Sequence, residues 1–173
     1  MKSLFKIVTA IFALLSTNFY ATAANSIQSN DELTPIFEKY FEVKDALVKT
    51  DGKSASFKAK ELTSAIKNVN IENLTSEQHA LWMKVQTEIA EDAEHISDTS
   101  DAKHQRDHFA TLSIAIYKLI KVSKVNAPIY YQFCPMANNG KGANWLSKDK
   151  SIKNPYYGSQ MLTCGKTVET INN

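Results

Sequence analysis

Two cysteines, each close to a methionine, are the residues near the C-terminus that are best suited to chemistry. Cys134 lies two residues before Met136, and Met161 lies three residues before Cys164. Thiolate and thioether sulfurs are soft ligands that favour Cu(I) or Ag(I) over hard cations. The four side chains therefore form a candidate soft-metal site. Two thiols in one small exported domain also commonly form a disulfide, so a Cys134–Cys164 bond is the alternative.

Three of the four histidines lie around a predicted turn between two helices. His104 and His108 are one helical turn apart and share a face, while His95 lies on the other side of the turn, where it can approach His104. Imidazole is the commonest metal ligand in proteins. His108 continues the apolar stripe of its helix and is the best additional ligand candidate. Histidines at a helix end are also often simply solvated.

The sequence patterns that accompany catalysis are not found. The chain has no nucleophile turn with a serine, histidine and acid, and no glycine-rich phosphate loop. It also lacks the Cys-x-x-Cys spacing that speeds thiol exchange. Glu91, Asp92 and Glu94 precede His95 and are interpreted as a solvated helix face. We therefore predict that the protein is not an enzyme.

Four amphipathic helices are predicted to position these side chains, because apolar residues recur at three- and four-residue spacing in four stretches. Pro35 is suited to the start of the first helix, and Thr75 with Gln78 forms a capping box at the start of the third. The predicted helices cover about 34–50, 54–69, 76–96 and 102–124. Short loops between them predict an all-α fold, an up-and-down four-helix bundle.

The C-terminal segment 129–173 has a different character. It contains Gly140, Gly142, Gly158 and Gly165 and shows no helical periodicity. We expect an irregular tail with up to two short strands, near 129–133 and 161–168. Its tyrosines and Trp145 would be exposed unless the tail packed on the bundle, so we expect that packing.

The first residues have the layout of a secretory signal. Lys2 and Lys6 form a short basic region, and the mostly apolar run Ile7 to Phe19 follows it. Ala21-Thr22-Ala23 then supplies the small-x-small cleavage pattern. The run is too short to span a bilayer comfortably. We predict a signal peptide over 1–24 and a single domain over 25–173. The protein is then periplasmic or secreted, without membrane insertion after cleavage.

Charge argues against a nucleic-acid partner. The chain has 20 basic and 18 acidic residues, and removal of the signal peptide with Lys2 and Lys6 leaves 18 of each. The basic residues are dispersed among the acidic ones. A nucleic-acid binder needs a concentrated positive face to neutralise phosphates, and no such face is predicted.

Three segments resemble a known family. YYQFCPMANNGKGANWLS (130–147) and IKNPYYGSQMLTCG (152–165) resemble the signature of domain of unknown function 3347, and QRDHFATLS (105–113) is similar to its Gln-Arg-x-x-Phe-x-x-Leu-Ser element. The likeness extends over nearly the whole mature chain. Asn144 departs from it, since an aromatic residue is expected before Trp145, and this bears on local packing.

The resemblance implies a helical exported domain of Bacteroidetes-type bacteria that occurs alone or fused to periplasmic adaptor subunits of heavy-metal efflux pumps. It also implies copper or silver handling. Cys134, Met136, Met161 and Cys164 stand at the matching sulfur positions, and His108 lies in the matching helix element.

The leading hypothesis is therefore a non-enzymatic periplasmic protein that binds Cu(I) or Ag(I) and buffers it or delivers it. The partner would be an efflux adaptor or another periplasmic copper protein. The alternative is a binding or scaffold module in which a Cys134–Cys164 disulfide merely holds the tail on the bundle.

Overall fold

The structure is a computed structural model that describes residues 31–172. The predicted signal peptide, 1–24, lies outside these residues, and its cleavage stays a prediction. Between residues 31 and 172, no helix combines the length and apolar character that a membrane span requires.

Four helices form the N-terminal part of the described chain, in the order that the sequence predicts. They are α1 (Thr34–Val48), α2 (Gly52–Lys67), α3 (Ser76–Ser97) and α4 (Ala102–Ile120), with a 3₁₀ turn at Ile71–Asn73. Pro35 occupies the first turn of α1. The predicted capping box is confirmed, because Thr75 and Gln78 satisfy each other's backbone N–H groups at the start of α3.

Each helix packs chiefly against the next one in sequence, and α4 also contacts α1. Most residues that the spacing places on the inward faces are buried: Leu62 in α2, Ile89 and Ile96 in α3, and Leu112 and Ile116 in α4 are fully buried, while Ala65, Val69 and Leu81 are partly buried. The aromatic residues of α1 complete this core. The four predicted helices are therefore confirmed, and they pack pairwise.

The all-α prediction is wrong for the C-terminal segment, which forms a three-stranded antiparallel sheet. Its strands are β1 (Ile129–Cys134), β2 (Ala143–Ser147) and β3 (Lys166–Ile171), in the spatial order β2-β1-β3. A short 3₁₀ turn covers Gly158–Gln160. The fold is thus mixed α and β, because three extended segments of the tail pair with each other and satisfy their backbone groups in a ladder.

One of the two predicted strands is confirmed and the other is displaced. The strand near 129–133 is β1, the central strand of the sheet. The strand predicted at 161–168 begins only at Lys166, because the preceding residues form a turn in which the Cys164 N–H donates to the Met161 carbonyl (3.0 Å). The strand β2 was not predicted from the sequence.

The tail packs on the bundle, as expected, and Tyr40 of α1 is the central link. Its buried ring stacks on Phe109 of α4 with centroids 5.1 Å apart. The Leu146 N–H of β2 donates to the Tyr40 hydroxyl (3.0 Å), which also bonds the Ser113 hydroxyl (2.8 Å). Burial raises the pKa of the Tyr40 phenol well above its ordinary value, so the group stays neutral.

Two charged residues strengthen the attachment of the tail to α4. Arg106 Nε donates to the Pro155 carbonyl (2.7 Å) and its Nη2 donates to the Leu47 carbonyl (3.1 Å). At the other edge of the sheet, Glu169 of β3 accepts from the Tyr117 hydroxyl (2.6 Å) and pairs with Lys121. The tail is therefore bonded to α4 through both Arg106 and Glu169.

Candidate metal centre

Three histidines meet where α3 ends and α4 begins. One ligand nitrogen from each of His95, His104 and His108 lies within 4.8 Å of the other two. The His95 and His108 rings stack with centroids 4.3 Å apart, and the His104 and His108 centroids are 4.9 Å apart. The sequence predicted that His95 and His104 flank the turn; the structure adds that all three rings form one cluster.

The spacing of the cluster suits a small metal ion after modest ring rotation. Metal–nitrogen bonds of about 2.1 Å place the nitrogens of a tetrahedral site roughly 3.4 Å apart. His95 and His104 are exposed and His108 is half-buried, so two of the three rings are free to turn toward an ion. The cluster holds three nitrogen donors, and imidazole donors suit Zn, Cu and Ni.

The turn between α3 and α4 is held by a buried glutamine. The fully buried Gln105 directs its Nε2 at three carbonyls, those of Thr99 (2.7 Å), Gly52 (2.9 Å) and Ile96 (3.1 Å). Asp101 caps α4 by accepting from the Lys103 N–H (2.9 Å). Because these bonds tie the end of α3, the turn and the start of α2 together, the histidines on either side of the turn stand on fixed backbone.

A buried carboxylate lies behind the cluster. Asp92 of α3 is 7% exposed. One of its oxygens lies 3.0 Å from His108 Nδ1, and the other accepts a hydrogen bond from the Thr111 hydroxyl (2.6 Å). The sequence interpretation of Asp92 as part of a solvated face is wrong. The signal that could have found it is its place on the buried stripe of Val85, Ile89 and Ile96.

The two cysteines also come together. Cys134 ends β1 and is fully buried, Cys164 is half-buried, and their sulfur atoms are 3.1 Å apart, as free thiols. The hydrogen bond with Cys134 raises the pKa of the Cys164 thiol above its ordinary value. A raised pKa lowers the thiolate fraction of Cys164 at neutral pH, which makes this thiol a poorer nucleophile.

The methionines of the predicted sulfur set lie near these thiols in sequence but differ in exposure. Met136 is 51% exposed, and its carbonyl accepts from the Tyr157 hydroxyl (2.7 Å). Met161 is half-buried, and its backbone carbonyl accepts a hydrogen bond from the Cys164 N–H. The structure thus brings Cys134 and Cys164 into contact, while thioether ligation by Met136 and Met161 stays a prediction.

The histidine cluster and the thiol pair belong to different sides of α4. Lys103, Arg106, Asp107 and Ala110 face the tail across a cleft that also includes Tyr156 and Tyr157. At about 100° per residue, the mean direction of His104 and His108 lies roughly 130° around the helix axis from the mean direction of those four residues. His108 therefore faces α3 and the other histidines, and the candidate donors form two centres.

Residues 36–127 match the sequence model of the family described as Protein of unknown function (DUF3347). The chain belongs to this family. The match confirms the expected family and spans α2, α3, α4 and all but the first two residues of α1, with Asp92 and the three histidines. The tail segments that carry Cys134 and Cys164 lie outside the matched range. No curated protein and no solved structure matches the chain.

Proposed function

We propose that this DUF3347 protein binds a transition-metal ion at His95, His104 and His108. The observation that carries the proposal is the convergence of three ligand nitrogens from two helices within 4.8 Å of one another. Three histidines that met on the surface by chance would need no buried carboxylate beside them. Here Asp92 Oδ1 lies 3.0 Å from His108 Nδ1. Carboxylate support of a ligating histidine is typical of metal sites.

The exposure of the cluster leaves a bound ion accessible from the surface. Three protein ligands leave at least one coordination position for water or for a ligand from another molecule. Because His95 and His104 are exposed, that position is accessible to a partner. We propose a non-enzymatic role in the exported compartment: the protein buffers the ion or passes it to a heavy-metal efflux adaptor or another periplasmic metal protein.

Alanine at any one of the three histidines is expected to weaken Zn(II) or Cu(II) binding by more than about 100-fold, beyond the 10- to 100-fold loss typical of outer-shell partners. Calorimetric titration of the purified chain measures this loss. His79→Ala is the matched control, since His79 is exposed on α3, outside the cluster, and it should bind like the wild type. If the wild type binds neither ion, or the His79 variant loses as much affinity as the others, the proposal fails.

A second candidate function is the binding of Cu(I) or Ag(I) by the reduced cysteine pair. The 3.1 Å separation of the Cys134 and Cys164 sulfurs favours it, because both soft donors can approach one ion. The half-buried Cys164 gives the ion a route to the buried Cys134. Met136 and Met161 are the proposed thioether ligands. The same proximity allows a disulfide, so the redox state of the pair decides whether the ion binds.

Under reducing conditions, Cys134→Ser/Cys164→Ser is expected to remove Cu(I) binding that competition with a Cu(I) chelator detects in the wild type. The reason is that hydroxyl oxygen is a poor ligand for a soft ion. Met136→Leu should weaken binding and leave the thermal unfolding midpoint unchanged. Intact mass with and without alkylation reports the oxidation state of the exported protein. A pair that is always oxidised, with equal Cu(I) binding by the double variant, rules out the thiol site.

A further inference from the structure

Asp92 is a buried charge whose two oxygens are both directed at α4. A carboxylate removed from water needs hydrogen-bond partners to offset its desolvation. The partners of Asp92 are His108 Nδ1 at 3.0 Å and the Thr111 hydroxyl at 2.6 Å. These two residues lie about one helical turn apart on α4, so both contacts come from one face of that helix. The carboxylate is therefore oriented as well as paired.

The contact with Asp92 determines which nitrogen of His108 remains available. Asp92 Oδ1 lies 3.0 Å from Nδ1, within hydrogen-bond distance, so this contact occupies Nδ1. The lone pair that can bind an ion is then on Nε2. Thr111 holds the other carboxylate oxygen and thereby fixes the plane of the group that orients the ring.

We infer that Asp92 is a positioning residue for a divalent-metal site at the histidine cluster, and that it acts by committing His108 to bind through Nε2. The inference rests on the proposed function. Asp92 contacts no ion itself; its role is to hold the ring of His108 in place before the ion arrives. His108 is the fixed ligand, and the exposed His95 and His104 close on the ion from the surface.

The donor chemistry identifies the class of ion. The site offers three imidazole nitrogens with one negative charge directly behind them. Imidazole donors suit borderline divalent ions such as Zn(II) and Cu(II), whereas Cu(I) and Ag(I) favour sulfur. A negative charge behind a ligand also favours the more highly charged ion, because the Coulomb attraction scales with the charge. The histidine cluster is thus a divalent site, chemically distinct from the thiol pair.

The test compares Asp92→Asn and Asp92→Ala with Asp107→Asn in the full-length mature chain. Asn keeps the shape of Asp92 and removes its charge, and Ala also removes the hydrogen-bond acceptor. Asp107 is the matched control: it is adjacent to His108 in sequence but exposed and facing the tail. Zn(II) affinity from calorimetry is expected to fall about 10- to 100-fold in the Ala variant and less in the Asn variant. The Asp107 variant should bind like the wild type.

Two spectroscopic measurements separate positioning from a general loss of structure. The electron paramagnetic resonance spectrum of bound Cu(II) should differ between the wild type and both Asp92 variants. In the metal-free protein, long-range proton–nitrogen NMR should show neutral His108 protonated on Nδ1 in the wild type and on Nε2 in Asp92→Ala. Thermal unfolding of each variant checks that the helices remain folded.

The possible outcomes are distinguishable. If the wild type binds Zn(II) and the Asp92 variants bind within about twofold of it, with an unchanged Cu(II) spectrum, the inference fails and the proposed function stands. A wild-type His108 protonated on Nε2 overturns the inference by itself. If the wild type binds neither Zn(II) nor Cu(II), the proposed function fails, and the inference fails with it.

Discussion

Alanine in place of Tyr40 is expected to destabilise the protein by about 3–5 kcal/mol, the cost typical of deleting a large buried aromatic side chain. Tyr40 is fully buried and stacks on Phe109, so its removal leaves a cavity between α1 and α4. It also removes the hydroxyl that bonds the Leu146 N–H of β2. The bundle and the sheet are therefore both weakened. Urea denaturation followed by circular dichroism measures the change in the free energy of unfolding.

Tyr40→Phe isolates the hydrogen bonds from the packing. The ring stays, but the buried Leu146 N–H and the Ser113 hydroxyl each lose the hydrogen bond to Tyr40, at a cost of about 1–3 kcal/mol. Tyr130→Phe on β1 is the control, because Tyr130 is only half-buried, and its effect should stay within about 0.5 kcal/mol. Equal stabilities of the two phenylalanine variants would mean that the Tyr40 hydroxyl does not hold the sheet to the bundle.

The second large effect is expected from Gly52→Ala, at the first residue of α2. A Cβ atom at this position would lie 2.0 Å from the Ser100 carbonyl oxygen and 2.8 Å from its carbon. Both atoms are backbone atoms of the α3–α4 turn, so the turn itself must shift. Overpacking of this kind costs about 1–3 kcal/mol. Because His95 and His104 lie on either side of the turn, we also expect weaker Zn(II) binding.

The control for Gly52→Ala is Lys53→Ala, the next residue of α2, whose side chain is exposed. It adds no atom to the contact with Ser100, and its stability and Zn(II) affinity should match the wild type. The free energy of unfolding and the Zn(II) affinity of each variant are measured on the same preparation. Unchanged values of both for Gly52→Ala would show that the approach of α2 to the turn does not constrain the histidine cluster.

The helices could be predicted from the sequence because each has local signals at its ends. Thr75 and Gln78 define the start of α3 through contacts within one helical turn, and Asp51 caps α2 by accepting from the Ser54 N–H. The sheet is different, because a strand is stabilised by partners distant in sequence. The strand β2 is short, and its pairing with β1 makes Ala143–Ser147 extended.

In the candidate site, too, contacts within one helix could be predicted from the sequence, whereas contacts between elements could not. The one-turn spacing of His104 and His108 is visible in the sequence, whereas the stacking of His95 on His108 depends on how α3 and α4 cross. The acidic run of Glu91, Asp92 and Glu94 predicts a solvated face, and this pattern outweighed the position of Asp92 on the apolar stripe; the packing of α3 against α4 shows that Asp92 faces inward. The contact of Cys134 with Cys164 likewise depends on the path of the intervening tail.

The buried Gln105 has a consequence for how a partner would recognise the loaded protein. Because its hydrogen bonds already hold the ends of α3 and α4 at the turn, an ion entering the cluster orders little besides the exposed imidazole rings. Pre-organisation of this kind lowers the entropic penalty of binding. It also means that the empty and loaded proteins have nearly the same backbone. We therefore expect a partner to distinguish them by direct contact with the ion, through its vacant coordination position, and not by a change of shape.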